Sequence, residues 1–333
     1  NTAQNVAVGF EAMENATTAK DNVAFGAYAL QNDTTGQRST ALGFSALYSQ
    51  NFTDGTLTYN TAVGFNAGAV MSTGSLNTLV GGLSGDAMTT GTTNCALGYL
   101  TLSAETTGQR GTAMGYSALA NQNTTGGHQM YNTAYGFFAG NQITTGLQNT
   151  LIGGDAGKSL TDADFNVAVG KGVLETDTQG SQSTAVGYSA LASQNFSSAA
   201  NSGNSAFGYN SGGSFTTGIQ NTTVGSLSGD ALTDADRNTV LGYQALSTDT
   251  LGSRSTALGW NALASQNFTS ATDTYNVAVG YSAGSEITTG VNNTAIGGLA
   301  GDAITTGTAN TLLGQAAGGA INTGTNNTCI GQG

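Results

Sequence analysis

The chain has 333 residues, with 51 Gly, no Pro, 8% charged residues and a net charge of −12. Its seven Lys and Arg are scattered, so a nucleic-acid partner is not expected, and no apolar run approaches the length of a membrane span, so neither is membrane insertion. Low charge with much Gly and Thr suits a disordered linker, but regularly spaced apolar residues making up 38% of the chain do not.

From the N-terminus, a five-residue pattern, Asn-Thr-Ala-(Val/Leu/Ile)-Gly, begins at Asn5 and returns at Asn22, Ser39, Asn60, Asn77, Asn94, Gly111, Asn132, Asn149, Asn166, Ser183, Asn204, Asn221, Asn238, Ser255, Asn276, Asn293, Asn310 and Asn327. Successive copies among these nineteen start seventeen positions apart, as from Asn60 to Asn77. Every fourth coil is lengthened to twenty-one, as from Ser39 to Asn60. Three short coils and one long coil make a super-repeat of seventy-two, the step from Asn60 to Asn132. No linker interrupts it, so residues 1–333 read as a single continuous solenoid. The chain opens on Asn1 rather than Met and shows no signal peptide, so it reads as a segment of a longer protein.

Each position of the repeat carries a physical meaning. The first is usually Asn (Asn60, Asn132, Asn204, Asn276), predicted to form a ladder of stacked amides that satisfies turn backbone groups. The second, mostly Thr or Val, suits a strand. The fourth is always apolar or aromatic, from Val8 and Phe25 to Ile330, and is the expected core residue. Alternation then places the third, mostly Ala, on the opposite face. The fifth is Gly in every copy (Gly9, Gly64, Gly136, Gly208, Gly280), which points to positive φ or a close backbone approach. The sixth is aromatic in eleven copies, including Phe10, Phe65, Tyr116, Tyr209 and Trp260, with its direction left open by the preceding Gly. The ninth is Leu or Met in some coils (Met13, Leu30, Leu102, Leu119) and Gly in others (Gly68, Gly140, Gly212, Gly284), a pattern that fills a core in alternating layers. A Thr-Gly or Thr-Thr-Gly turn, such as Thr144-Thr145-Gly146, completes most short coils.

A repeat this short cannot bury a hydrophobic face alone, whereas stacked copies can. Helical solenoids use longer repeats and tolerate less Gly. The predicted fold is therefore all-β: a parallel β-solenoid, or β-roll, of about nineteen coils. At about 4.8 Å per coil the rod would be on the order of 90 Å long. Cys95 and Cys329 belong to the sixth and the last copy of the pattern, and would then lie too far apart along the rod for an internal disulfide.

The core motif, as in Asn60-Thr61-Ala62-Val63-Gly64, is similar to the head repeats of trimeric autotransporter adhesins of the YadA type. The longer unit, such as Asn22 to Arg38, resembles repeats of phage tail fibres and related bacterial fibre proteins. The resemblance covers essentially the whole chain, although these coils are longer than those of the adhesin heads. It implies an extracellular fibre, on a cell surface or a virion tail, with three chains side by side and a role in surface attachment. The expected partners are other copies of the chain, as a homotrimer or an end-to-end filament, and a cell-surface glycan or receptor. Both chain ends leave the repeat in mid-pattern without an obvious polar cap, which invites pairing with more strand, as in a filament, or reflects ends trimmed from a longer chain.

Candidate sites follow from the super-repeat. Asn51, Asn123, Asn195 and Asn267 recur once per super-repeat, and each opens an Asn-x-Ser/Thr sequon in the long coils, whose four extra residues are expected to bulge outward. The competing reading is chance: further sequons occur at Asn15, Asn32, Asn221, Asn292 and Asn326. The same loops, the most varied part of the repeat, read equally as a binding face or as solvated spacers. The aromatic column reads as a sugar-stacking platform or, with greater weight, as a ladder packed in the core or between chains. Asp162-Ala163-Asp164 and Asp234-Ala235-Asp236 offer oxygen ligands for calcium, but a capped turn is the better reading because further ligands are missing. Asp86, Asp230 and Asp302 are too sparse for a metal ladder. With His128 as the only His and no nucleophile–base pairing, no catalytic, metal or cofactor site is assigned and no enzymatic activity is expected. The second-position threonines raise ice binding as a third reading, weakened by the expectation that several face inward.

Overall fold

The computed structural model describes residues 4–333, which form a parallel β-solenoid of about nineteen coils with no helix. Contacts divide the chain into two compact units, Asn1–Phe165 and Asn166–Gly333. Among the described residues, nine three-residue strands recur in the first unit, from Val6–Val8 to Thr150–Ile152. Ten recur in the second, from Val167–Val169 to Thr328–Ile330.

Within each unit every such strand pairs in parallel with its counterpart one coil away, residue for residue. Thr61, Ala62 and Val63 meet Thr78, Leu79 and Val80. The long coils keep this register: Thr40 still meets Thr61, and Thr184 still meets Ser205. Their extra residues are taken up on the far side of the coil, where in the second unit Gly180–Ser181 pairs with Ala200–Asn201 and Gly252–Ser253 with Thr272–Asp273.

The fifth-position glycines set how closely coils approach. At Gly64 φ is +140°, and a Cβ there would lie 2.4 Å from the Gly81 carbonyl oxygen. Gly9, Gly136, Gly208 and Gly280 repeat this, with the next coil's glycine backbone 2.4–2.7 Å from the missing Cβ. Two independent demands, the dihedral and the space, therefore exclude every other residue.

The first-position asparagines do two jobs at once. Asn60 Nδ2 donates to the Gly74 carbonyl (2.7 Å), closing its own coil, while its Oδ1 accepts the Asn77 backbone N–H (2.9 Å), registering the next. Asn132, Asn204 and Asn276 make the same pair of bonds, each with its own coil's glycine and the following asparagine. The amides are buried, so each bond satisfies a backbone group that water cannot reach.

The core lies on the face opposite to the one expected from the apolar character of the fourth position. The third residue is buried in every strand from Val23–Phe25 to Thr311–Leu313, whereas the second and fourth are exposed or half-buried. Val8, Phe25 and Ile330 point outward. The physical reason is the narrowness of the coil. Alanine at the third position leaves room for a ninth-position Leu from the facing wall, such as Leu30 or Leu47. Where the third residue is itself Leu, the ninth positions beside it are Gly. Leu79 Cδ atoms lie 2.9–3.0 Å from where Gly68 and Gly85 would carry a Cβ, and Leu151 sits likewise against Gly140 and Gly157. The alternation of large and small residues expected at the ninth position is thus a volume exchange between two walls.

Substituting Gly64 by Ala is expected to cost more than about 3 kcal/mol, because neither backbone can retreat. Asn77→Ala is expected to cost roughly 2–5 kcal/mol, since it orphans the buried Gly91 carbonyl and Asn94 N–H that Asn77 now satisfies. Thermal unfolding followed by circular dichroism checks both, against a near-neutral Thr78→Ser at an exposed strand position.

Candidate functional site

The most extensive feature is the outward strand face. Its fourth position carries Val, Leu, Ile, Met, Phe or Tyr, and directly after the glycine comes the aromatic sixth position, which also faces solvent. Phe10, Phe65, Tyr209 and Tyr281 are each more than half exposed, and Tyr116 and Trp260 nearly so. The sixth position therefore does not pack in the chain's own core. Its rings stack along the coils: Phe44 on Phe65, Tyr116 on Phe137, Tyr188 on Tyr209 and Trp260 on Tyr281, with centroids 4.9–5.5 Å apart. The column breaks where coils carry Ala27, Gly82, Gly154, Lys171, Ser226, Gly298, Gln315 or Gln332 at that position. The second-position threonines also face outward or are half-buried, contrary to the expected inward orientation.

The long coils are more tightly held than bulging loops would be. In three of them the residue after the sequon Asn is a buried Phe: Phe52, Phe196 and Phe268 are each 7% exposed. Residues after it, such as Thr53 and Asp54, are exposed, so only part of the insertion bulges, and Thr58 turns back inward. The sequon asparagines have a structural role. Asn51, Asn123, Asn195 and Asn267 each accept a hydrogen bond through Oδ1 from a threonine of the preceding coil (Thr34, Thr106, Thr178, Thr250). Asn51 and Asn195 are exposed, Asn123 and Asn267 half-buried.

Beneath each long coil lies a buried polar layer that sequence reasoning missed. Asp33 Oδ2 accepts from Gln50 Nε2 (2.6 Å) and its Oδ1 from the Gly36 N–H (2.9 Å). Gln50 in turn reaches Ser39 and Asn60. Asp177 with Gln194, and Asp249 with Gln266, repeat the arrangement. Burial raises the Asp33 carboxyl above the usual carboxylate range, against the lowering effect of its hydrogen bonds from Gln50, Gly36, Phe52 and Thr35. The signal was available: an acid in one coil with a Gln at the matching place in the next, once per super-repeat. The fourth such layer differs. Glu105 replaces Asp, Gly111 replaces Ser, Met130 fills the space beside Gly111, and the buried Gln122 amide has no protein hydrogen-bond partner.

A second unforeseen feature is an exposed Arg–Tyr pair. Arg38, Arg110 and Arg254 sit over Tyr59, Tyr131 and Tyr275 at 5.4–5.5 Å from the ring centroids, and each donates to the phenol oxygen. In the remaining super-repeat both partners change together, to Gln182 and Gly203.

The Asp-Ala-Asp segments serve turns. Asp164 Oδ1 accepts the Leu147 N–H and Asp236 Oδ1 the Ile219 N–H, at 2.7 and 2.8 Å. No group of three His, Cys, Asp or Glu capable of holding a metal occurs among the described residues. Cys95 and Cys329 are both free thiols. No helix is long and apolar enough to cross a membrane among the described residues. His128 stands in the long coil starting at Gly111 and lines a cavity of about 220 Å³ with Thr124, Thr125, Thr145 and Leu147.

Asp86 and Asp230, which occupy the same place two super-repeats apart, each carry a buried Oδ1 without a protein hydrogen-bond partner. Burial raises both carboxyls above the usual range. A carboxyl whose folded pKa is raised favours the folded state while protonated, and that stability is lost as pH rises through the folded value. The double variant Asp86→Asn/Asp230→Asn is therefore expected to melt at a higher temperature than the parent chain at pH 7. The gain should disappear at acid pH, below the ordinary Asp range, where the parent carboxyls are protonated too. Melting curves at several pH values measure it.

Comparison with protein-family models and with curated proteins finds no match to this chain.

Proposed function

We propose that the chain is a structural segment of an extracellular fibre, in which the outward strand face packs against further copies of the chain and the long coils serve surface attachment. The observation that carries this reading is the apolar and aromatic column left uncovered on a single chain. Exposed, contiguous apolar faces with few charges mark protein–protein contact. Because the column repeats in step with the coils, parallel copies in register would bring like residues together at every level. The resemblance to trimeric adhesin heads and tail fibres adds the expectation of three chains and of attachment as the role. The sequons at Asn51, Asn123, Asn195 and Asn267 would be glycosylated where the source carries that machinery.

Ice binding has the outward threonines in its favour, but bulky rings at the sixth position interrupt any flat threonine array beside them. Measurable thermal hysteresis would promote that reading, and its absence removes it.

Light scattering coupled to size exclusion is expected to give three times the chain mass, unchanged on dilution. The double variant Phe65→Lys/Phe137→Lys, which alters exposed rings without touching the core, should lower that mass to one chain while leaving the β-sheet circular dichroism intact. A wild-type chain that is monomeric across the whole concentration range contradicts the packing part of the proposal, and particle length that grows with concentration favours the end-to-end filament.

A further inference from the structure

The geometry points to a binding site for a single uncharged sugar ring in the cavity beside His128, a site that deepens the attachment role proposed above and rests on it. The loop that lines the cavity departs in sequence from the other long coils. In the other three long coils the residue after the sequon Asn is a Phe that plugs inward. Phe196 Cδ2, for instance, lies 2.8 Å from where Gly180 would carry a Cβ. In this coil that residue is Thr124; its backbone N–H donates to Glu105 Oε2 (3.0 Å), as the Phe backbone N–H groups donate to Asp33, Asp177 and Asp249, and its hydroxyl adds a bond to the same oxygen (3.1 Å). Glu105 is one methylene longer than the Asp of the other layers, and its carboxylate and the Thr124 hydroxyl occupy the space beside Gly108 that Phe196 takes beside Gly180, so the cavity lies outside that layer, against the exposed Thr125, His128 and Thr145.

The replacement loop is held open rather than collapsed. Gly126 and Gly127, at φ +86° and +72°, turn the chain sharply. The Gly127 N–H donates to the Thr107 hydroxyl (3.2 Å), the Gln109 N–H donates to the His128 carbonyl (3.0 Å), and Met130 N–H donates to Gln109 carbonyl (2.8 Å). His128 is thereby fixed at the rim, exposed, with its imidazole packed towards Gly126.

The lining selects the ligand class. The exposed Thr125 and Thr145 hydroxyls and an imidazole both donate and accept hydrogen bonds, and Leu147 gives one apolar wall. No carboxylate, Lys or Arg lines the cavity, so nothing there balances a charged ligand. A purely apolar occupant would leave the hydroxyls unmatched. A pyranose ring, with hydroxyls at its edge and C–H groups on its face, meets both kinds of wall. At about 220 Å³ the space is smaller than the ~300 Å³ at which pockets for drug-sized ligands begin, which fits one ring and not a longer chain.

The test uses the full-length chain and the methyl glycosides of glucose, galactose, mannose and N-acetylglucosamine. Each is titrated to about 20 mM, the range suited to small ligands of millimolar affinity, and followed by saturation-transfer NMR and by the His128 ring signals. At least one glycoside is expected to bind saturably and shift those signals. His128→Ala, at an exposed position, should weaken binding at least fivefold. Thr145→Phe, which puts a ring into the cavity from an exposed position, should abolish it while leaving the melting temperature unchanged. No saturable binding by any of the four sugars overturns the site, as does binding that survives unchanged in the folded, plugged variant. The chain mass by light scattering is read on the same samples. A trimer that binds no sugar sinks this site alone, and a monomer that binds one sinks only the packing proposal.

Discussion

At the fifth position of each coil the backbone runs against the backbone of the next, with no room for a Cβ between Gly64 and Gly81 or between Gly208 and Gly225. Everything else in the fold is arranged around that contact. Parallel strands three residues long contribute few hydrogen bonds each, and a short parallel pair has little stability of its own. Stability arises because the same approach is repeated at each coil, so that strand, glycine and asparagine all find an identical partner one turn on. The asparagines convert this stacking into register. By binding its own coil's carbonyl and the next coil's N–H, Asn60 makes coil closure and coil spacing a single event.

The long coils show how the scheme tolerates a change of circumference. Their first residue is Ser39, Gly111, Ser183 or Ser255, never Asn. In three of them a Gln at the twelfth position bridges to the neighbouring carboxylate and to the next asparagine, as Gln50 does to Asp33 and Asn60. The layer that begins at Gly111 has drifted from this scheme at five linked places, Glu105, Gly111, Thr124, His128 and Met130. The drift is compensated in volume at Gly111 and Met130, uncompensated in hydrogen bonding at Gln122, and accompanied by a cavity at Thr124.

Much of the fold was legible in the sequence, because stacking turns periodicity directly into geometry. The coil lengths, the invariant glycines, the asparagine ladder and the Leu/Gly exchange all follow from like residues lying on like residues. The direction of the strand did not follow. Alternation establishes two faces without saying which is inside, and the usual rule that the larger apolar column is buried fails where opposite walls stand close. Ala62 lies inside because Leu47 and Leu79 need the space, whereas Val63 and Phe65 lie outside. The compensation between Leu79 and the pair Gly68 and Gly85 held the missing information, since only a residue in the core needs a glycine opposite it. At the long coils, Asn-x-Ser/Thr drew attention to the asparagine, while the neighbouring Phe and the Asp–Gln spacing carried the packing.

The orientation of the strand decides both what the core is made of and which surface is left for other molecules. A side-chain-resolution map of the full chain, by crystallography or electron cryomicroscopy, tests it most directly. The account predicts density for Ala62 and Ala134 turned into the coil, Val63, Phe65 and Phe137 turned out of it, and the Gly64 and Gly81 backbones in contact. Val63 and Phe65 found inside their own coil, with the alanines facing outward, would contradict it.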